Sequence, residues 1–256
     1  MRTSSEQAPG GARERVALVH WISRMGAATD RAVARRERIT LASARARLTG
    51  AQRAGWLARR RPLYGQPSLY FATAAGMQAA GESGLGRCRV SAANAAHLIA
   101  CAGAAAELES RFREHTVRSE RELRRAEQEL GVPLASARIG GPGVERSWHR
   151  PDLVLWPRAA RAGLPVAVEV ELTVKAPGRL VEICRGWARA RCVAGVLYLV
   201  SPQVERPLRR AIERARAGEK LVVVPLCAMT PTRDGDCAHS SRASQRAAHS
   251  PCSSVA

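Results

Sequence analysis

The amino-acid sequence predicts a chain of the α/β class, α+β overall, in which a helical front segment precedes a mixed sheet flanked by helices. Three observations carry that expectation. Leu18, Trp21, Ile22 and Met25 recur at i, i+3, i+4 and i+7, the spacing of one helix face. From Val166 to Lys175, apolar residues alternate with Glu169, Glu171, Thr173 and Lys175, the period of a strand with its polar groups on one face. From Trp148 onward, strand-like and helix-like stretches follow one another, as in a sheet with helical connections.

Taken in order, residues 1–11 are polar and Gly-Pro rich and read as a loose tail. A first helix runs from Ala12 until Gly26 stops it. Thr29 is placed to cap a second helix through Glu37. A third is expected from Leu41 to Leu57, with Leu41, Leu48 and Trp56 inward and Arg45, Arg47 and Arg53 projecting elsewhere. Arg59-Arg60-Arg61-Pro62-Leu63-Tyr64, a Gly65-Gln66-Pro67 turn and Ser68 to Ala72 read as a hairpin. Three helices and a basic hairpin make the plan of a winged helix-turn-helix, with Ala54 to Arg59 closing its recognition helix. Residues 12–80 are therefore expected to bind double-stranded DNA through Arg45, Arg47, Arg53, Arg59, Arg60 and Arg61.

Residues 81–115 hold a glycine-bearing linker and an Ala-rich helix from about Ser91 to Phe112, whose His97 reads as a packed core residue. Ser119-Glu120-Arg121-Glu122 is a capping box, opening a helix that ends near Leu130 with Gly131 as C-cap and Pro133 beyond. One strand and a Gly-Gly-Pro-Gly turn are expected in 134–147, and a single strand from Trp148 to Trp156. After the Val166–Lys175 stretch come a helix from Pro177 to about Arg191, a strand Val193–Val200, a helix Gln203–Ala217 and a strand Leu221–Leu226. These form an α/β domain over 116–227, followed by a disordered tail over 228–256.

Charge narrows the partner. The chain has 256 residues, a net charge of +19 and a pI near 11.3, a balance that favours a polyanion, most simply DNA, though acidic surfaces in general would attract it too. Residues 1–61 carry 14 arginines against 4 acidic residues, about half of the excess. The length allows two domains, each with its own core. No run approaches the ~20 apolar residues of a membrane helix, and the start lacks a secretion-signal core, so a cytoplasmic protein without membrane contact is expected. The seven cysteines form no C-x-x-C pair and no finger spacing with histidine, which points to reduced thiols rather than structural zinc.

The chemistry is concentrated in Pro151-Asp152, Glu169-Val170-Glu171 and Lys175. Two carboxylates within a half-buried strand are costly unless they are matched, either by a divalent cation or by arginines in a buried ionic network. Acids from two neighbouring strands can hold a cation that polarises a phosphate and activates water, with a lysine steadying the developing charge. That arrangement requires Asp152 to lie opposite Glu169, since a slip of one residue would send it to the other face.

This set resembles the PD-(D/E)xK nuclease superfamily, whose core runs helix-strand-strand-strand-helix-strand. The resemblance implies Mg²⁺, with Mn²⁺ as a substitute, on Asp152, Glu169 and Glu171, with Lys175 and Glu120 completing the catalytic set. Thr173 stands where that pattern has its lysine, and Lys175 lies roughly 13 Å beyond Glu171 on an extended strand at ~3.3 Å per residue. Reading Glu169-x-Glu171 as an acid-x-acid variant restores the spacing. The whole chain from about 15 to 226 is similar to the replication-relaxation family of plasmid and integrative-element proteins, through Gly55-Trp56-Leu57, His97-Leu98, Leu108-Glu109, Ser119 to Leu123, His149 to Leu155 and Glu169 to Lys175. That family implies a role in plasmid replication, relaxation or mobilisation, with replication or mobilisation proteins as partners and a homodimer as an open option. Two readings follow: a Mg²⁺-dependent DNA endonuclease guided by its winged helix, or a non-catalytic accessory factor or transcriptional regulator that keeps the nuclease fold as a platform.

Overall fold

β7 (Val166–Glu171) is the middle strand of a five-stranded mixed sheet, as its run of branched aliphatics requires. The computed structural model describes residues 9–140, 147–159 and 163–229. β7 pairs antiparallel with β6 (Leu153–Pro157) and parallel with β8 (Gly195–Val200). β3 (His115–Ser119) and β9 (Leu221–Pro225) form the edges, in the order β3-β6-β7-β8-β9. The chain is thus mixed α/β, α+β overall.

The alternation along β7 divides two apolar layers. Val168 and Val170 face a layer shared with Leu153, Leu155 and Leu199; Ala167 faces the other, with Val154, Val196 and Tyr198. Glu169 and Glu171 have the parity of Ala167. The second layer is closed by α7 (Pro177–Arg189) and α8 (Pro202–Ala215), with Trp187 fully buried beneath them. Each such side chain contributes about 2 kcal/mol of burial free energy, so the sheet is held from both sides.

The first layer is closed by the front of the chain. α1 (Pro9–Met25) ends at Gly26, whose φ of +85° suits glycine, and α2 (Asp30–Glu37) starts on Thr29, whose hydroxyl accepts from Ala32 N at 3.1 Å. α3 (Leu41–Arg53) stops earlier than the sequence suggests. Gly55 takes φ +75°, Trp56 N turns back to Ala51 O, and Leu57 already begins β1 (Leu57–Arg60), so the Ala54–Arg59 run is a turn and a strand, not the end of a helix. β2 (Leu69–Ala72) completes the hairpin, and Ala28 bridges to Tyr70, tying the α1–α2 connection to it. α4 (Ala74–Ala79) packs so close to this turn that a Cβ on Gly76 would lie 2.0 Å from Trp56 O.

The front segment does not keep a core to itself. Leu18, Trp21, Ile22, Val33 and Leu48 share a cluster with Ala105 and Leu108 of α5 (Ala92–Arg111) and with the β6–β7 face. Trp21 Nε1 donates to Glu109, Arg24 to Glu122 and to Val117 O, and Arg35 to Glu107.

Three further elements depart from expectation. β3 enters between α5 and α6 (Glu120–Leu130), so α5 is the helix that precedes the sheet. The Trp148–Trp156 stretch is two strands: β5 (Ser147–His149) pairs with β4 (Ala137–Ile139), and the ladder breaks at Pro151, which has no N–H to give it. β7 ends at Glu171, so Thr173 and Lys175 are off the strand. The capping box of α6 is present, with Ser119 and Glu122 exchanging bonds and Gly131 at φ +69°. The helix assigned to begin at Ala12 starts at Pro9, while residues 1–8, most of the Gly-Gly-Pro-Gly turn and the 230–256 tail lie outside the described residues.

Candidate active site

Asp152 stands at the entrance of β6, and the Leu153–Val168 pairing places it level with Glu169 on β7. Its position is fixed from three sides. Its carbonyl accepts from Glu120 N at 2.8 Å, Oδ2 accepts from Val170 N at 2.8 Å, and Oδ1 accepts from His97 Nε2 at 2.9 Å. The backbone of β7 therefore orients one side of the carboxylate and α5 the other.

Glu169 is only 3% exposed. Its Oε1 accepts from His149 Nε2 at 2.7 Å and from Trp187 Nε1 at 3.1 Å. Burial pushes its carboxyl above the usual range, against the opposing pull of His149. The hydrogen bond to Asp152 raises His97, and burial lowers Lys175. Glu171 is ion-paired with Lys175, and Glu120, in the first turn of α6, with Arg124.

Glu120, Asp152, Glu169, Glu171 and Lys175 all line one open cleft of about 590 Å³, together with His97 and His149. Lys175 reaches it without the strand: the chain turns after Glu171 and brings the ammonium back. No arginine is bonded to Glu169 or Asp152 among the described residues. The arginine-sealed network describes Glu127 instead, whose carboxylate accepts from Arg150 Nε at 2.8 Å and from Ser136 Oγ at 2.6 Å.

His97, assigned from the sequence to the packed core, is a cleft residue with a side chain 44% exposed. Its ligand atom, Cys101 Sγ and an Asp152 oxygen lie within 4.8 Å of one another, the one such group of three among the described residues. The signal available was the four-residue spacing of His97 and Cys101, which puts both on one helix face. Cys101 is not placed as a nucleophile. It meets His97 at Nε2, the nitrogen that also faces Asp152, so no relay runs through the ring, and burial raises its thiol well above the ordinary value.

The six front arginines separate into two groups. Arg45 bonds Asp30, and Arg47 spans Glu14 and Glu37. Arg53 is exposed at the end of α3, Arg59 lies over Tyr70, Arg60 reaches Val90 O, and Arg61 reaches Gln66 O; none of these four has a carboxylate partner among the described residues.

Compared with known proteins, the chain matches no family model, no curated protein and no solved structure. No helix among the described residues is long and apolar enough to cross a membrane.

Proposed function

We propose that the protein binds DNA and hydrolyses phosphodiester bonds in this cleft with the help of a divalent cation, in keeping with the PD-(D/E)xK and replication-relaxation resemblances. One observation carries the reading: Asp152, at the entrance of β6, stands level with Glu169 of β7, both line one cleft with Lys175, and no guanidinium among the described residues bonds either of them. A carboxylate buried as Glu169 is, with its ionised form disfavoured, is the kind of group that a cation would stabilise.

Asp152 and Glu169 would hold Mg²⁺ or Mn²⁺, with Glu171 and Glu120 released from their lysine and arginine as further oxygen donors. The imidazole of His97 beside Asp152 favours Mn²⁺ over Mg²⁺, since nitrogen donors suit softer ions. A bound divalent cation supplies Lewis-acid polarisation of a phosphoryl oxygen and lowers the pKa of water. The chain does the rest. The Val170 N–H fixes Asp152, His149 and Trp187 fix Glu169, and Lys175 offers positive charge to an anionic phosphate.

At the front, α1 to α3, the Ala28 bridge and the β1–β2 hairpin have the element order of a winged helix. The unpaired arginines of the hairpin, rather than Arg45 and Arg47, supply its phosphate contacts.

Supercoiled plasmid incubated with Mg²⁺ or Mn²⁺ is expected to be nicked by the native protein and not by Asp152→Ala. Absence of nicking with either ion would replace this reading by that of a non-catalytic DNA-binding factor, which the Lys175–Glu171 pair favours.

A further inference from the structure

On the other side of Trp148 from the cleft lies a second groove, of about 610 Å³, between the β4–β5 hairpin and the C-terminal end of α7. That is within the ~300–1,000 Å³ of small-ligand sites. Arg138, Arg189 and Arg191 line it, with no carboxylate among its described lining residues. None of the three forms an ion pair with a described residue. Three unmatched guanidiniums around one groove concentrate positive potential there.

The ring between them is also open. Trp148 lies directly across the β4–β5 ladder from Arg138 and is 42% exposed. Of the five tryptophans, Trp21, Trp56 and Trp156 each lie against an arginine, and Trp187 is buried on Glu169. Trp148 has neither a cation nor a hydrogen-bond partner among the described residues. A Cβ on Gly186 would come within 3.0 Å of Arg138 O, so glycine is what lets α7 approach the hairpin and form the groove wall.

We infer that this groove binds a single strand of nucleic acid, one base stacking on Trp148 and the adjoining phosphates meeting Arg138, Arg189 and Arg191. An exposed ring face recognises a base only when that base is unstacked, which duplex DNA does not offer, and guanidiniums beside it track the backbone. Trp148 lines the carboxylate cleft as well, so a strand held in the positive groove leads directly to Asp152 and Glu169. The inference rests on the nucleic-acid reading of that cleft and adds the form of the substrate: unpaired where it enters.

The test is anisotropy of a labelled oligothymidylate and of a blunt duplex of equal length, with the full chain in EDTA so that no cleavage intervenes. Trp148→Ala is expected to weaken oligothymidylate binding about ten-fold while leaving duplex affinity within about two-fold, and Trp148→Phe to restore most of the loss. Arg138→Gln with Arg191→Gln is expected to weaken the single strand and flatten its salt dependence. Equal losses for both ligands, or no loss for either, in a Trp148→Ala protein of native melting temperature, would overturn the inference. A protein that binds through Trp148 yet never nicks plasmid keeps the groove and loses the cleavage reading. One that nicks and ignores Trp148 does the reverse.

Discussion

Glu127 and Glu169 are both buried carboxylates of the sheet region, 6% and 3% exposed, yet their surroundings are opposite. Glu127 is saturated: Leu134 N and Ala135 N, Ser136 Oγ and Arg150 Nε all donate to it, pinning the segment that leaves α6. Glu169 has a histidine and an indole on one oxygen, and burial keeps its ionised form disfavoured. A charge matched on every side holds structure together, whereas one left short of partners costs stability and is worth keeping only for a ligand.

The sharpest way to break that contrast is to neutralise each in turn. Glu169→Gln is expected to lower Mn²⁺-dependent plasmid nicking about 100-fold or more while the melting temperature stays level or rises, since the amide oxygen still accepts from His149 and Trp187. Glu127→Gln is expected to do the opposite. It leaves Arg150 without its countercharge and should cost about 3 kcal/mol in urea unfolding, with nicking intact at low temperature. If both lose activity and stability together, the two sites are not different in kind.

The same distinction orders the front arginines. Replacing Arg59, Arg60 and Arg61 by glutamine should reduce the slope of log affinity for duplex against log salt by about three, because these have no carboxylate partner among the described residues. Replacing Arg45 and Arg47, which bond Asp30, Glu14 and Glu37, should change it by less.

Proton linkage sharpens the comparison further. Folded Glu169 keeps its proton to a higher pH than the ordinary value of 4.5, so the folded state binds more protons across that window and stability falls as pH rises. Folded His97 is raised above 6.5 by Asp152, so its contribution is full below that value and is lost as pH rises through the raised one. The metal-free protein is therefore expected to melt lower as pH rises above 4.5 and again as it rises above 6.5. Glu169→Gln should flatten the acid part of that slope, and His97→Gln the neutral part. The smallest effect is expected at Ser119→Ala, which removes a cap bond and a bond to Arg24 O. About 1 kcal/mol of stability should go, with nicking unchanged.

What the sequence made legible follows the same physics. Local rules announced themselves: Thr29 as a cap, the Ser119–Glu122 box, Gly26 and Gly131 as stops, and the alternation that sets Glu169 and Glu171 on one face of β7. The level placement of Asp152 and Glu169 was only a requirement of the cation-binding arrangement, and it is the Leu153–Val168 pairing that meets it. β3 was hidden because its residues, His115-Thr116-Val117-Arg118-Ser119, lie at a sheet edge and only Val117 among them is a buried aliphatic. Pro151 divided a stretch that composition alone joins, and Gly55 turned a helix end into a strand start. His97 left only its spacing from Cys101 as a signal and Trp148 left none, because they come to line a cleft only when α5 and the β4–β5 hairpin are brought to the sheet. Lys175 returns to the cleft by a turn that no strand spacing anticipates.

The central claim is that the Asp152–Glu169 cleft grips a divalent cation, and calorimetric titration of Mn²⁺ into the metal-free protein tests it most directly. One tight site is expected, with proton release near neutral pH as His97, raised above 6.5, gives up its proton, and with heat and release both lost in Asp152→Ala. Binding of equal strength in the native and Asp152→Ala proteins, or no binding in either, would contradict the account.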